Sequence, residues 1–190
     1  MESTSNRYLL AIDPSIISSG VALFYGDKLI AAGTIAIGTN QRCLAQRCEY
    51  MASLIRGWFT NNASRWLADK VDVVFEWPRI YPRQRGKKPN DLPALVGVGM
   101  AVCKPFYGEV YCYYPQEWAG QLPKAKGKQK ADASPRAQRI WSRLTEEEKN
   151  VWPKGQHDAL DAIGIGLYHL KRFDPRKVYE GVTYDEITLG

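Results

Sequence analysis

The chain has 190 residues, of which 45% are hydrophobic and 24% are charged. This composition is that of one globular domain with a sizeable core, and no apolar segment approaches the roughly 20 residues that a membrane-spanning helix needs. The net charge of +6 is compatible with a polyanionic partner. The chain starts without the basic and then apolar pattern of a secretory signal, so we expect a cytoplasmic protein. Its cysteines are predicted to be reduced core residues: Cys43, Cys48, Cys103 and Cys112.

The first half of the chain predicts three strands and a long helix. Apolar runs separated by turn signals indicate strands at residues 7–13, 19–25 and 28–35. The turn at Gly26 is typical of a hairpin. Residues 41 to about 67 carry an apolar stripe at helical spacing, interrupted near Asn61. This helix should cover one face of the sheet.

The second half alternates strands with helices. Its predicted elements are a strand at 71–76, a helix at 91–102, a strand at 109–114, a short helix at 116–122 and a closing helix at about 157–172. Lys124 to Pro135 lacks periodicity and is predicted to be a flexible loop. Thr145 and Glu148 have the spacing of a capping box for a short helix. The residues from about 174 onward indicate a loosely docked tail.

This order of elements is that of the ribonuclease H-like fold. We therefore predict a single α/β domain over residues 1–190, with a five-stranded mixed sheet in the order 3-2-1-4-5 flanked by helices. Basic loops are expected near 79–90 and 123–135. In this fold the first and fourth strands are parallel neighbours, so residues at their carboxyl ends emerge side by side.

Four acidic residues lie where this architecture would gather them into one pocket. Asp13 and Glu76 end apolar runs, where an ionised carboxylate needs a partner or a metal. Asp158 and Asp161 are three residues apart on the last predicted helix and therefore share a face. His157 can share that face and is an auxiliary catalytic candidate. Carboxylates on three segments suit a two-metal phosphodiesterase with two Mg²⁺ ions, for which Mn²⁺ would substitute.

Each acid alone has a simpler interpretation. Asp13 could end a strand and cap the next segment, and Glu76 could face water on an edge strand. Asp158 and Asp161 could lie in the first turn of the last helix because acids favour the helix dipole there. The joint occurrence of all four acids is much harder to attribute to chance.

Two basic clusters flank the acidic residues in sequence and are candidate DNA contacts. The candidate DNA-binding residues are Arg79, Tyr81, Arg83, Arg85, Lys87, Lys88, Asn90, Lys124, Lys126, Lys128 and Lys130. The first cluster mixes cations with Tyr81, which suits phosphate contacts combined with stacking on an unpaired base. The second cluster could instead serve solubility alone.

The ordered motifs resemble those of the RuvC family of Holliday junction resolvases. The similar segments are residues 11–20 (Ala-Ile-Asp-Pro-Ser to Ser-Gly), 75–78 (Phe-Glu-Trp-Pro), 90–97 (Asn-Asp-Leu-Pro-Ala-Leu-Val-Gly), 114–118 (Tyr-Pro-Gln-Glu-Trp) and 157–162 (His-Asp-Ala-Leu-Asp-Ala). The resemblance implies symmetric, Mg²⁺- or Mn²⁺-dependent nicking of four-way DNA junctions by a homodimer. Asp13, Glu76, Asp158 and Asp161 would bind the metals. Asp13 is the best candidate to bridge both ions, because it comes from the central strand.

Two departures from the family pattern bear on substrate choice. The stretch between Glu76 and Asn90 is longer and more basic than in typical bacterial members, and the Lys124 to Pro135 segment diverges from the usual basic segment. The pattern is closer to phage-type members. Three other functions stay open: a broader nuclease of flaps and branched DNA, a non-catalytic junction- or RNA-binding protein, and an ATP-binding actin-like protein. The last would need further glycine-rich loops and a second subdomain, for which the chain is short.

Overall fold

A computed structural model describes residues 7–38, 43–63, 71–77, 108–120, 122, 134–152 and 154–176. The strands are β1 (Tyr8–Asp13), β2 (Ser18–Tyr25), β3 (Lys28–Ala36), β4 (Val71–Glu76) and β5 (Val110–Tyr113). The helices are α1 (Leu44–Asn62), α2 (Pro115–Trp118), α3 (Pro135–Trp141), α4 (Glu146–Lys149) and α5 (His157–His169). None of these described helices is both long and apolar enough to cross a membrane.

The five strands form one mixed sheet in the order β3-β2-β1-β4-β5, which confirms the predicted order. β1 is antiparallel to β2 and parallel to β4, and β5 is parallel to β4. The pairing of β1 with β4 ends at Ile12 opposite Phe75. Asp13 and Glu76 follow as the next residues, so the two carboxylates lie at the same end of neighbouring strands.

The sheet has a separate hydrophobic core on each face. The core against α1 includes Leu10, Ile12, Val73, Phe75, Met51, Ile55 and Phe59. The core on the other face contains Leu9, Ala11 and Val74 together with much of α5. Because side chains alternate along a strand, Asp13 and Glu76 share the α5 face of the sheet with these residues.

Helix α5 lies directly on the sheet and is buried from Ala159 to Leu167. Two glycines permit this close approach. A Cβ on Gly20 in β2 would lie 1.8 Å from the carbonyl oxygen of Asp158, and one on Gly166 would lie 2.2 Å from the ring of Phe24. Gly20 is also the residue that pairs with Asp13. The first turn of α5 is therefore seated beside the end of β1.

Helix α4 is anchored by a buried carboxylate. Thr145 and Glu148 form the predicted capping box, and Glu148 also accepts hydrogen bonds from the Leu29 backbone and, at 2.7 Å from each terminal nitrogen, from Arg172. Burial raises the pKa of Glu148, but the hydrogen bonds from Arg172 and the two backbone N–H groups outweigh it and lower that pKa to about 2. The hydrogen bonds of Glu148 with Leu29 and Arg172 therefore connect α4 to β3 and to the residues at the end of α5.

Several boundaries differ from the sequence-based predictions. Helix α1 starts at Leu44 rather than 41 and ends at Asn62, near the predicted interruption. Helix α5 ends at His169, before the predicted end at about 172, because Lys171 adopts a φ of 59° and the Arg172 N–H turns back to the Leu167 carbonyl. The predicted helix over 91–102 lies outside the described residues.

One helix was not predicted, and the prediction for two of the cysteines is wrong. Helix α3 was not predicted, yet Ser134 caps it by accepting a hydrogen bond from the Ala137 N–H, and Pro135 occupies its first position. Cys43 and Cys112 are exposed rather than in the core. Cys43 precedes α1, and Cys112 lies on β5 at the edge of the sheet.

Candidate active site

Asp13 and Glu76 form the sheet side of the candidate site. Each ends its strand after a run of buried apolar residues and is itself only partly buried. Neighbouring strands lie about 4.8 Å apart, so two residues at matching strand ends are close enough to act on one ligand. As predicted, β1 and β4 are parallel neighbours, and Asp13 and Glu76 each follow the last residue of the β1–β4 pairing.

The first turn of α5 brings Asp158 to the same end of the sheet. Its backbone sits over Gly20, and the Ser18 hydroxyl donates a 2.5 Å hydrogen bond to Asp158 Oδ2. Just before the helix, Gln156 Oε1 accepts a 2.8 Å hydrogen bond from the Thr34 N–H. Contacts with both β2 and β3 therefore fix the place of Asp158 next to the end of β1.

Asp161 lies one turn further along α5 and is directed at a buried cation. Its Oδ1 accepts a hydrogen bond from Arg136 Nη1 at 3.0 Å, and both residues are buried. Arg136 also donates to the Leu122 carbonyl through Nε at 3.2 Å and Nη2 at 2.8 Å. Its guanidinium carbon lies 5.2 Å from the centre of the Trp118 ring.

Trp118 connects this ion pair to the sheet. Its fully buried indole donates from Nε1 to Glu76 Oε2 at 2.8 Å, while its ring faces Arg136. Buried indole N–H groups usually have a hydrogen-bond partner, and a carboxylate makes this bond a strong one. Trp118 therefore orients Glu76 and also contacts Arg136, the ion-pair partner of Asp161.

The donor chemistry at the strand ends suits a hard divalent cation. Asp13, Glu76 and Asp158 offer only carboxylate oxygens, which Mg²⁺ and Mn²⁺ prefer. A carboxylate has about four acceptor positions, so the bonds from Trp118 and Ser18 are compatible with a metal at the same group. Within the described ranges, no three histidine, cysteine or acidic side chains are already grouped as a ligand set.

The remaining candidates are placed as follows. His157 is exposed at the first position of α5. Every candidate DNA contact lies outside the described residues: Arg79, Tyr81, Arg83, Arg85, Lys87, Lys88, Asn90, Lys124, Lys126, Lys128 and Lys130. Their roles stay predictions.

Three residues of the site were not identified from the sequence: Ser18, Trp118 and Arg136. Ser18 and Trp118 lie within segments that resemble the family motifs, but that resemblance gave them no role. Arg136 follows the Ser134-Pro135 helix start, a capping signal that would have placed it on the first turn of a helix.

The strand order and the directions of the strands define the domain as one with a ribonuclease H-like α/β fold. Neither a protein-family model nor a curated protein sequence matches the chain. Two solved structures of RuvC from Thermus thermophilus are similar to it. The one in complex with a Holliday junction substrate has a TM-score of 0.60 and 17% identity, over 86% of this chain and 92% of that chain. The other has a TM-score of 0.54 and 14% identity, over 88% and 99%. The RuvC-like fold is thereby confirmed.

Proposed function

We propose that this protein is a metal-dependent endonuclease that resolves four-way DNA junctions by paired symmetric nicks. One observation supports the proposal: Asp13 and Glu76 end neighbouring parallel strands and the backbone of Asp158 lies over Gly20, the residue that pairs with Asp13, in a chain whose fold is similar to that of RuvC in complex with a Holliday junction substrate. The net charge of +6 also favours a polyanionic substrate. The protein would act as a homodimer in DNA recombination, repair or phage DNA processing, because two symmetric nicks call for two sites.

In this proposal Asp13, Glu76 and Asp158 hold Mg²⁺ or Mn²⁺. Bound divalent ions would supply Lewis acidity, which activates water and stabilises charge on the phosphate and the leaving oxygen. The protein contributes the orientation of the carboxylates, since Trp118 holds one oxygen of Glu76 and Ser18 holds one oxygen of Asp158. Pre-positioned ligands of this kind reduce the reorganisation that binding and reaction would otherwise require.

The chain's own residues also determine how DNA approaches. A group of carboxylates repels phosphate, so the backbone enters the site only when cations compensate this charge. Water is the proposed nucleophile, and the exposed His157 would exchange a proton between the site and solvent. Hydrolysis of the phosphodiester by water, with the 3′-oxygen as the leaving group, would produce 5′-phosphate ends.

The test is cleavage of a labelled mobile four-way junction in Mg²⁺ by the unchanged chain and by Asp13→Asn. We expect paired symmetric nicks that the substitution abolishes, while junction binding stays equal or becomes stronger because a repulsive charge is removed. Asp72→Asn is the matched control. Asp72 is a carboxylate at the opposite end of β4, where it accepts a hydrogen bond from the Glu109 N–H. The control should cut normally.

Flap and linear duplex substrates in the same assay separate the alternatives. Equal cutting of flaps and junctions would replace the proposal with a broader branched-DNA nuclease. Junction binding without metal-dependent cutting would indicate a non-catalytic junction-binding protein. Equal loss of binding and cutting in Asp13→Asn would contradict the role given to Asp13.

A further inference from the structure

We infer that the two acids of α5 have different roles: Asp158 is a metal ligand, whereas Asp161 is not a ligand and instead forms a permanent buried ion pair with Arg136. This inference rests on the proposed metal site and departs from the symmetric assignment that the family resemblance implies. It predicts that the DNA-free protein binds divalent metal through Asp13, Glu76 and Asp158 without Asp161.

The surroundings of Arg136 support a permanent pair. Its side chain is 10% exposed and that of Asp161 is 4% exposed. All three guanidinium nitrogens donate hydrogen bonds, one to Asp161 and two to the Leu122 carbonyl, and the guanidinium lies near the Trp118 ring. The guanidinium of Arg136 is held by hydrogen bonds along its edge and by the Trp118 ring at one face. It therefore has little freedom to follow the Asp161 carboxylate if that group moves.

Metal binding by Asp161 would be costly in this arrangement. If its carboxylate turned to a metal, the guanidinium would be left buried without its counter-charge, which is strongly unfavourable. The ion pair carries no net charge, so Asp161 in this arrangement offers little electrostatic attraction to a divalent ion.

Asp158 has the opposite surroundings. It is only partly buried, and its identified partner is the neutral Ser18 hydroxyl, which orients the carboxylate without compensating its charge. Its backbone lies over the strand residue that pairs with Asp13. Of the two acids on α5, Asp158 is thus the one whose negative charge stays available to a cation.

The test is titration of the full chain with Mn²⁺ in the absence of DNA, with the dissociation constant as the readout. Asp158→Asn should weaken binding by about 10-fold or more, as expected when a ligand is lost. The double variant Arg136→Gln with Asp161→Asn removes both charges of the pair together. It should bind Mn²⁺ as the unchanged chain does. If the double variant bound Mn²⁺ as weakly as Asp158→Asn does, the inference would be overturned.

Arg136→Lys gives a second measurement that does not depend on folding of the double variant. Lysine keeps the positive charge but lacks the planar fork, so it holds Asp161 less firmly. The inference predicts an unchanged dissociation constant. If Asp161 is a ligand for which Arg136 competes with the metal, Arg136→Lys instead binds Mn²⁺ more tightly, and the inference fails.

Failure of the proposed function has a different signature. An unchanged chain that binds no Mn²⁺ overturns both the metal site and the division of roles. An unchanged chain that binds Mn²⁺ but cuts no junction overturns the proposed function alone. The two variants at Arg136 then still decide the role of Asp161 through the dissociation constant.

Discussion

Replacing Gly20 with alanine tests whether the seating of α5 on β2 places Asp158 in the site. The added Cβ would lie 1.8 Å from the Asp158 carbonyl oxygen and 2.2 Å from its carbonyl carbon, whereas ordinary contact begins at 3.4 Å. Both atoms belong to backbone, so no side-chain rotation relieves the clash. The strand and the first turn of α5 must separate by about the difference of 1.6 Å.

The expected cost follows from that displacement. Overpacking a core typically costs about 1–3 kcal/mol, and a clash between two backbones should reach the upper part of that range. About 3 kcal/mol is a large share of the roughly 5–15 kcal/mol that stabilises a domain. A displacement of about 1 Å in a catalytic group can reduce turnover about 100-fold, so junction cleavage should fall by that order.

Urea unfolding and junction cleavage would both be measured, with Gly33→Ala as the matched control. Gly33 lies on the neighbouring strand β3 and pairs with Val21, and its added Cβ would meet Trp58 Nε1 at an ordinary 3.5 Å. The control should retain stability and activity. If Gly20→Ala were as stable and as active as Gly33→Ala, the close seating of α5 would not position Asp158, and the reasoning would be refuted.

The hydrogen bonds of the α5 face lead to further predictions. The pKa of Glu148 is lowered from 4.5 to about 2, so its contribution of about 3 kcal/mol is present above pH 4.5 and lost as pH falls toward 2. Urea unfolding at pH 7 and pH 3 should therefore show a smaller loss of stability on acidification in Glu148→Gln, and equal losses in both proteins would contradict the assignment. Trp118→Phe keeps an aromatic ring but removes the hydrogen-bond donor to Glu76. It should lower the free energy of unfolding in urea by about 1–3 kcal/mol and should also lower the rate of junction cleavage. An unchanged cleavage rate would argue against a role of Trp118 in orienting Glu76. Ser18→Ala should reduce cleavage about 10-fold with little change in the urea midpoint, and Ser18→Thr should restore it; no rescue by threonine would point to packing rather than to the hydroxyl.

The sheet and two of its acids could be predicted from the sequence because their signals are local. Each strand is a short apolar run, and Asp13 and Glu76 mark the ends of two such runs. Since the order of elements predicted parallel pairing of β1 with β4, the position of these acids at neighbouring strand ends followed without any knowledge of side-chain contacts.

The partners of the acids could not be predicted in the same way, because they are distant in the chain. Arg136 meets Asp161 across 25 residues, Trp118 meets Glu76 across 42, and Ser18 meets an acid across 140. The periodicity of apolar residues in a sequence does not indicate contacts between residues so far apart. The start of α3 was concealed for a different reason, since its cap follows a segment rich in lysine, alanine and glycine that has no helical pattern.

Helix α5 joins the stability of the fold to the geometry of the site. It fills the core on one face of the sheet, and its first turn carries Asp158. Gly20 sets the approach of the helix at one end, and Gly166 against Phe24 sets it further along. A change in helix packing should therefore alter stability and cleavage together, whereas exchange of a carboxylate oxygen for an amide should alter cleavage with a smaller effect on packing. Comparing the two kinds of variant on one plot of cleavage rate against unfolding free energy separates residues that act on the substrate from residues that hold the helix in place.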